Sequence, residues 1–490
     1  MNIHLILQMA ADSMPDREAV ICGSQRLTYQ DLSDAVNSLA NKLEGAKKLA
    51  YLAETGTAAP VAMFAAALRG IPYVPINYRL AEDQITSLLE RVSPALLISD
   101  DAPEVKGITK ISQVQVFSHV TSWDGFAPDE EGNIAIELFT SGTTGDPKSA
   151  ILRHDNLMAY ILGTIEFMSA EESQSTLVSV PPYHIAGISA ILSSVYAGRR
   201  MVQLPNFSPE AWLKLAKQEN VSQAFLVPTM LQRIIEYTTS NNETFDLPAM
   251  QAIAYGGGKM PHSVIEQAMT LMPHVNFTNA YGLTETSSTI CLLDPDDHHD
   301  AIQSGDPAVR ARLSSVGRPL PAVEVEIRDD DNVPCGAGEA GYVFVRGEQV
   351  SGEYHGSGSL LDENGWFPTR DRGYLDDAGY LFLDGRADDV IVRGGENISP
   401  GEIEDVLIEM SDIKDVAAVA VADDEWGEAV GVVIVPADMT TLPEIEAIKS
   451  HVKNQLRSSR VPTKVKFMEE LPYNETGKLL RRVLRDVFST

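Results

Sequence analysis

The sequence predicts an α/β protein. A large N-terminal domain of layered α/β subdomains ends in a small β unit, and a small α+β C-terminal domain follows. Three observations predict it. Short apolar strands alternate with helical periodicities through the first half of the chain. From about Ser315 the texture changes, with strict two-residue alternation over 323–327 and dense turn signals after it. A helix, two strands and a helix then follow Gly385. At 490 residues the chain is too long for one compact core.

The elements follow in order. Leu32, Val36, Leu39 and Leu43 repeat at helical spacing, so residues 32–43 read as a helix, and the apolar run 59–67 reads as a buried one. Residues 95–98 and 223–227 read as short buried strands, and strands alternating with helices give stacked α/β layers. Residues 134–139 alternate as a strand does, with 149–152 a candidate second strand. Val323-Glu324-Val325-Glu326-Ile327 alternates strictly and residues 342–345 are rich in strand formers. With turn signals at 329–332 and 336–338, they predict a small antiparallel unit. Residues 403–410 read as a helix, and 416–421 and 431–435 as strands. Residues 442–456 read as a helix opened by Thr441 as N-cap, with Pro443 and Glu444 in the first turn. The stretch 385–389 marks a boundary, giving domains 1–385 and 386–490.

The net charge of −31 excludes general nucleic-acid binding, which needs a basic face, and docking on an anionic membrane. Lys and Arg inside motifs therefore carry extra weight. Cys22, Cys291 and Cys335 are far apart and lack CxxC spacing, so neither a disulfide framework nor a metal site is expected. No signal-like start, no apolar run long enough to span a bilayer and no common C-terminal address is visible. The expectation is a cytoplasmic protein without a membrane span.

Residues 139–150 read Phe-Thr-Ser-Gly-Thr-Thr-Gly-Asp-Pro-Lys-Ser-Ala, between the two candidate strands. Glycines let backbone N–H groups turn toward an anion, hydroxyls add donors and Lys148 adds charge. Pro147 directly before the lysine excludes a Walker A loop, which needs glycine there and a helix after it.

This string resembles the signature loop of the adenylate-forming superfamily, which comprises acyl-CoA synthetases, adenylation domains and firefly-type luciferases. Further motifs occur in the family's order, from about residue 15 to 483, and an acyl-CoA synthetase is the most similar member type. The resemblance implies that Thr140, Ser141, Gly142, Thr143, Thr144, Gly145 and Lys148 hold the β- and γ-phosphates of ATP. Val180-Pro181-Pro182-Tyr183-His184 is similar to the segment whose last residue lines the acyl pocket and serves catalysis. Ala186, Gly187, Gly256, Gly257 and Gly282 join His184 as small pocket candidates. Tyr255-Gly256-Gly257-Gly258 resembles the segment against which adenine packs. Asn279-Ala280-Tyr281-Gly282-Leu283-Thr284-Glu285 is nearly the consensus: Tyr281 stacks on adenine, Thr284 contacts the α-phosphate, and Glu285, with Thr144, binds Mg²⁺.

Asp371, in Trp366-Phe367-Pro368-Thr369-Arg370-Asp371, is implied to accept from the ribose hydroxyls, although Arg370 stands where the family has glycine. Arg386 also reaches the nucleotide. Asp388 matches the hinge of a mobile C-terminal domain, and Gly394, Gly395 and Glu396 match the coenzyme A passage. Lys478, in Leu471-Pro472-Tyr473-Asn474-Glu475-Thr476-Gly477-Lys478, matches the adenylation lysine, with Tyr473 where a basic residue is common.

The implied activity is ligation of a carboxylic acid to coenzyme A through an acyl-adenylate, using ATP and Mg²⁺. The alternative is an acyl-AMP ligase that serves a carrier protein or an amine. A nucleotide-binding protein without catalysis fits poorly, because Lys148, Glu285, Asp371 and Lys478 are all present. No acid follows the aromatic of Tyr183-His184-Ile185-Ala186, which speaks against an amino-acid substrate. The small pocket candidates predict an aromatic, medium-chain or bulky acid, and no cation among them suggests a dicarboxylate. A monomer or homodimer is expected.

Overall fold

The structure is a computed structural model that describes residues 1–118, 125, 133–140, 147–241, 245–423, 425–473 and 479–488. Two compact units divide the chain. The first joins Met1–Glu324 to Val345–Phe367, and the second joins Val325–Phe344 to Pro368–Thr490.

The first unit carries two large sheets. In one, strands Glu18–Cys22, Arg200–Gln203, Ser175–Val178, Gln223–Leu226, Ala252–Gly256 and Asn276–Leu283 run parallel to their neighbours. In the other, Tyr73–Pro75, Leu49–Tyr51, Ala95–Ile98 and Ile108–Ile111 form a parallel block, with Ile134–Thr140 and Lys148–Arg153 antiparallel at its side. Parallel strands covered on both faces read as continuous apolar runs, and Ala95–Ile98 is buried throughout. Side chains from both sheets merge with those of six helices in one buried cluster.

Helix Tyr29–Lys42 takes in the expected 32–43 span up to Leu43, which is its C-cap. It starts where it does because Thr28 and Asp31 form a reciprocal cap: Thr28 Oγ1 accepts from Asp31 N–H at 3.0 Å, and the Asp31 carboxylate accepts from Thr28 N–H at 2.9 Å. Helix Ala58–Arg69 is buried at every position from Ala58 to Leu68, which its small side chains allow, and Gly70 ends it at φ +65°.

Glu324–Arg328, Gly341–Arg346, Phe367–Leu375 and Leu381–Arg386 form the expected small sheet, and all their residues but Glu324, Val345, Arg346 and Phe367 belong to the second unit. Arg386 is thus the last residue of a strand, and residues 325–344 and 368–385 pack with 386–490. The long hairpin Ile413–Asp423 with Gly427–Pro436 carries helix Pro400–Leu407 and helix Ile445–Gln455 against an apolar core. One local expectation fails. The last-named helix begins at Ile445, and Thr441 does not cap it. Asp438 draws this stretch into a turn first, its Oδ1 accepting from Thr440 N–H at 2.8 Å and its carbonyl from Thr441 N–H at 3.1 Å.

Candidate active site

In the first unit, the two strands flanking the phosphate loop pair Thr140 with Lys148, and Thr140 Oγ1 donates to the Lys148 carbonyl at 3.3 Å. Ser141, Gly142, Thr143, Thr144 and Gly145 lie outside the described residues. The loop's exit is held by a residue that sequence reasoning missed. Arg91 donates to the Pro147 carbonyl at 2.8 Å and lies 5.0 Å from the centre of the Phe139 ring.

A second missed residue is Tyr354. Its short strand Glu353–Tyr354 pairs with Lys148–Arg153, opposite Ala150. That register puts its ring 5.6 Å from Lys148 Nζ and lets its hydroxyl donate to Glu285 Oε1. Glu285 is held from behind as well, because its carbonyl accepts from Ser351 and Gly352 N–H at 2.9 and 3.1 Å. One tyrosine therefore joins the lysine implied to grip phosphate to the carboxylate implied to bind the metal ion. Neither residue has a sequence signal, since each works on a partner far along the chain.

The Asn279–Glu285 segment and the glycine segment come together by strand pairing, with Gly256 opposite Ala280. A Cβ on Gly256 would lie 2.1 Å from the Ala280 carbonyl oxygen, and one on Gly282 would lie 1.7 Å from the Ser288 oxygen. Gly187 is similarly pressed by the Pro181 oxygen at 2.7 Å. These three glycines are required by close backbone approach, whatever room they leave for an acid. Gly257 needs its glycine differently, at φ +82°, and Gly258 is exposed. Asn279 is buried and donates to the Ser315 carbonyl at 3.1 Å, while Tyr281 and Thr284 are half-buried. Just past the Thr284–Thr286 turn, Ser287 and Ser288 take φ +57° and +120°. Such strained backbone collects at functional turns. His184 stands at the residue before helix Ile185–Ala197 without a side-chain cap bond, half-buried like Ala186, with its ring 4.5 Å from that of Tyr183.

In the second unit, Asp371 and Arg386 face each other across paired strands, and Arg386 Nε lies 2.9 Å from Asp371 Oδ1. Asp371 is buried, and its N–H donates to Thr369 Oγ1 at 3.1 Å. The departure at Arg370 now has a geometry: φ is +64°, the left-handed region where glycine is at ease, and the exposed arginine bears the strain. Asp388 sits in the turn Ala387–Asp389. Across that turn, Ser399 Oγ donates to the Asp384 carbonyl.

Gly394 and Gly395 form the two-residue turn between Ile391–Arg393 and Glu396–Ile398, at φ +59° and +83°, as a primed hairpin turn demands. Gly394 lies under Trp426: its N–H donates to the Trp426 carbonyl at 2.9 Å, and a Cβ would lie 2.6 Å from the indole. Among the described residues, and apart from its two chain neighbours, no atom lies within 4 Å of where a Cβ on Gly395 would stand. The hydrogen bond from Arg460 holds the Glu396 carboxyl below its usual range. Lys478 lies outside the described residues. Among the described residues, no cluster of three or more His, Cys, Asp or Glu could hold a metal ion, and no helix is long and apolar enough to cross a membrane.

Residues 7–355 match the family described as AMP-binding enzyme, and residues 402–478 match the AMP-binding enzyme C-terminal domain. The chain is 29% identical over 500 residues to a 2-succinylbenzoate–CoA ligase of Bacillus cereus, covering 98% of each. Its structure resembles o-succinylbenzoate CoA synthetase (MenE) of Bacillus subtilis in complex with the acyl-adenylate OSB-AMP. The TM-score is 0.84 at 27% identity, with 98% of each chain covered. The same enzyme with ATP and magnesium ion gives a TM-score of 0.82 at 26% identity, covering 98% of this chain and 99% of that one. Amide bond synthetase McbA of Marinactinospora thermotolerans gives 0.84 at 25% identity over 99% of each.

Proposed function

The chain belongs to the AMP-binding enzyme family, and on that premise we propose that it is an ATP-dependent ligase joining an aromatic carboxylic acid to coenzyme A. The observation carrying this reading is the Glu285 carboxylate held beside Lys148 by Tyr354. A substrate carboxylate oxygen attacks the α-phosphorus of ATP and pyrophosphate leaves. The sulfur of coenzyme A then attacks the acyl carbon and AMP leaves. No general base is needed for the first step, because a carboxylic acid is already ionised at neutral pH.

Glu285 suits the magnesium ion that accompanies ATP, since one carboxylate with phosphate oxygens is the ordinary way this hard cation is held. The ion supplies charge neutralisation at the phosphoryl oxygens. Lys148 and Arg91 add positive charge and order at the pyrophosphate end. Thr284 donates at the α-phosphate, and Lys478 has the adenylation role that the family motif gives it. Asp371, oriented by Arg386, accepts from the ribose hydroxyls. His184 lines the acid's pocket. Residues 386–490 turn about Asp388, removing Lys478 and presenting Gly394, Gly395 and Glu396 for the second step. Three free cysteines fit a reducing cytoplasm.

2-Succinylbenzoate, named for the relatives, has a second carboxylate, whereas the pocket candidates carry no cation. Release of pyrophosphate and AMP, and thioester mass, should therefore be measured with both 2-succinylbenzoate and benzoate. Adenylate formation without thioester from any aromatic acid would turn the reading to the alternative, transfer to a carrier protein or an amine. The likeness to an amide bond synthetase favours that alternative as second choice.

A further inference from the structure

Residues 473 and 479 bracket the segment 474–478 and are bridged as an antiparallel pair. Leu480 N–H donates to the Pro472 carbonyl at 2.8 Å. This base is held by an exposed hydrogen bond on one side and by a largely buried charge on the other. On one side, Tyr473 donates to Asp415 Oδ2 at 3.0 Å. On the other, Arg481 opens the last helix, Arg481–Val487, with a side chain only 17% exposed. Its two Nη atoms fork onto Glu404 at 2.5 and 3.0 Å, and Nη1 also donates to the Ala418 carbonyl at 2.7 Å.

Pairing with Glu404 alone would already neutralise this cation. Yet Arg481 Nε also faces Asp389 Oδ2 at 3.6 Å, in the turn Ala387–Asp389. One helical turn on, Arg485 Nη2 donates to the Asp388 carbonyl at 3.0 Å and to Asp389 Oδ1 at 3.3 Å. Spacing of i and i+4 puts both guanidinium groups on one helix face, and that face grips the turn. Burial opposes charge on Arg481, but Glu404 and Asp389 more than offset it. A forked, desolvated arginine pair is rigid and directional, unlike an exposed lysine pair.

We propose that Arg481 is a positioning residue for the adenylation half-reaction: with Arg485 and Asp389 it ties the base of the Lys478 segment to the turn about which the C-terminal residues rotate. The proposal rests on the ligase reading above. Arg481 fixes where the base stands relative to Asp388, so that loosening it misplaces the lysine without touching the coenzyme A passage. Misplacement of a catalytic group by about 1 Å costs on the order of a hundredfold.

The test compares wild type with Arg481→Lys and Asp389→Asn, which keep size and disturb only the fork or the charge. Adenylation is read as ATP–pyrophosphate exchange with 2-succinylbenzoate and with benzoate. Thiolysis is read separately, with coenzyme A and synthetic benzoyl-adenylate. Expected is a ~10- to 100-fold fall in exchange with thiolysis within about threefold of wild type. Equal falls in both rates, or no change in either, overturn the proposal and leave the ligase reading standing. A wild type that exchanges with neither acid and does not thiolyse the adenylate overturns the ligase reading instead. Hydrogen exchange over residues 386–390, the gripped turn, decides the positioning claim without any acid. It should rise at least tenfold in both variants while helix Pro400–Leu407 keeps its protection, and unchanged exchange there overturns the claim.

Discussion

Replacing Tyr354 by phenylalanine removes one oxygen and leaves the ring against which Lys148 rests. The lost hydroxyl is the donor to Glu285 Oε1. A hydrogen bond to a charged partner contributes ~1.5–3 kcal/mol net, and the lower end applies to a half-buried carboxylate. A loss of ~1.5 kcal/mol is about tenfold in kcat/KM for ATP. Lysine over an aromatic ring adds ~0.5–1 kcal/mol at a surface site, so Tyr354→Leu should lose ~2–2.5 kcal/mol, roughly thirty- to seventyfold. The assay is pyrophosphate exchange over a range of ATP at fixed magnesium and saturating acid, with thermal unfolding alongside to exclude loss of fold. A phenylalanine variant within twofold of wild type would refute the claim that the hydroxyl orients Glu285. A leucine variant no worse than phenylalanine would refute the ring's role at Lys148.

Arg370→Gly should stabilise the second unit by ~1 kcal/mol, because φ +64° strains any residue with a Cβ; calorimetric unfolding of the variant measures it. Gly394→Ala should do the reverse by ~1–3 kcal/mol and shift the fluorescence of Trp426, whose indole stands 2.6 Å from the added Cβ; an unchanged spectrum contradicts that contact. Burial lowers the His4 pKa from its ordinary 6.5 to about 4. The unfolded chain then takes up a proton below pH 6.5 that the folded chain refuses until about pH 4. Stability should therefore fall as pH drops through that window, by up to ~3 kcal/mol. His4→Gln should flatten that part of the pH–stability curve.

The loop string, the Tyr281–Glu285 segment and the alternation over 323–327 were legible because their chemistry is local: a turn, a strand or a cap is written in adjacent residues. Arg91, Tyr354 and Arg481 were illegible for the opposite reason. Each matters through a partner that only strand register or helix packing brings near, and a lone arginine or tyrosine carries no mark of that. The glycines were half-legible. Small residues at 187, 256 and 282 suggested space for an acid, whereas opposing carbonyl oxygens already claim the Cβ positions. Arg370 shows the converse, since its departure from glycine was visible in sequence but the left-handed backbone it must adopt was not. The helix expected from Leu442 started late because an aspartate three residues before Thr441 offered the backbone a competing turn.

The hydrogen bond from Ser399 to the Asp384 carbonyl acts as a detent on a dial. It spans the residue proposed as the pivot, so it belongs to one setting of that pivot and must be given up in any other. A neutral bond of this kind is worth ~1 kcal/mol, a bias of only about fivefold between settings. A reactant works against it only through the difference between its affinities for the two settings, and a tenfold difference is ~1.4 kcal/mol. On the proposed pivot, this bond biases the protein toward one setting without locking it there, and a reactant that binds another setting about ten times more tightly is enough to turn the dial.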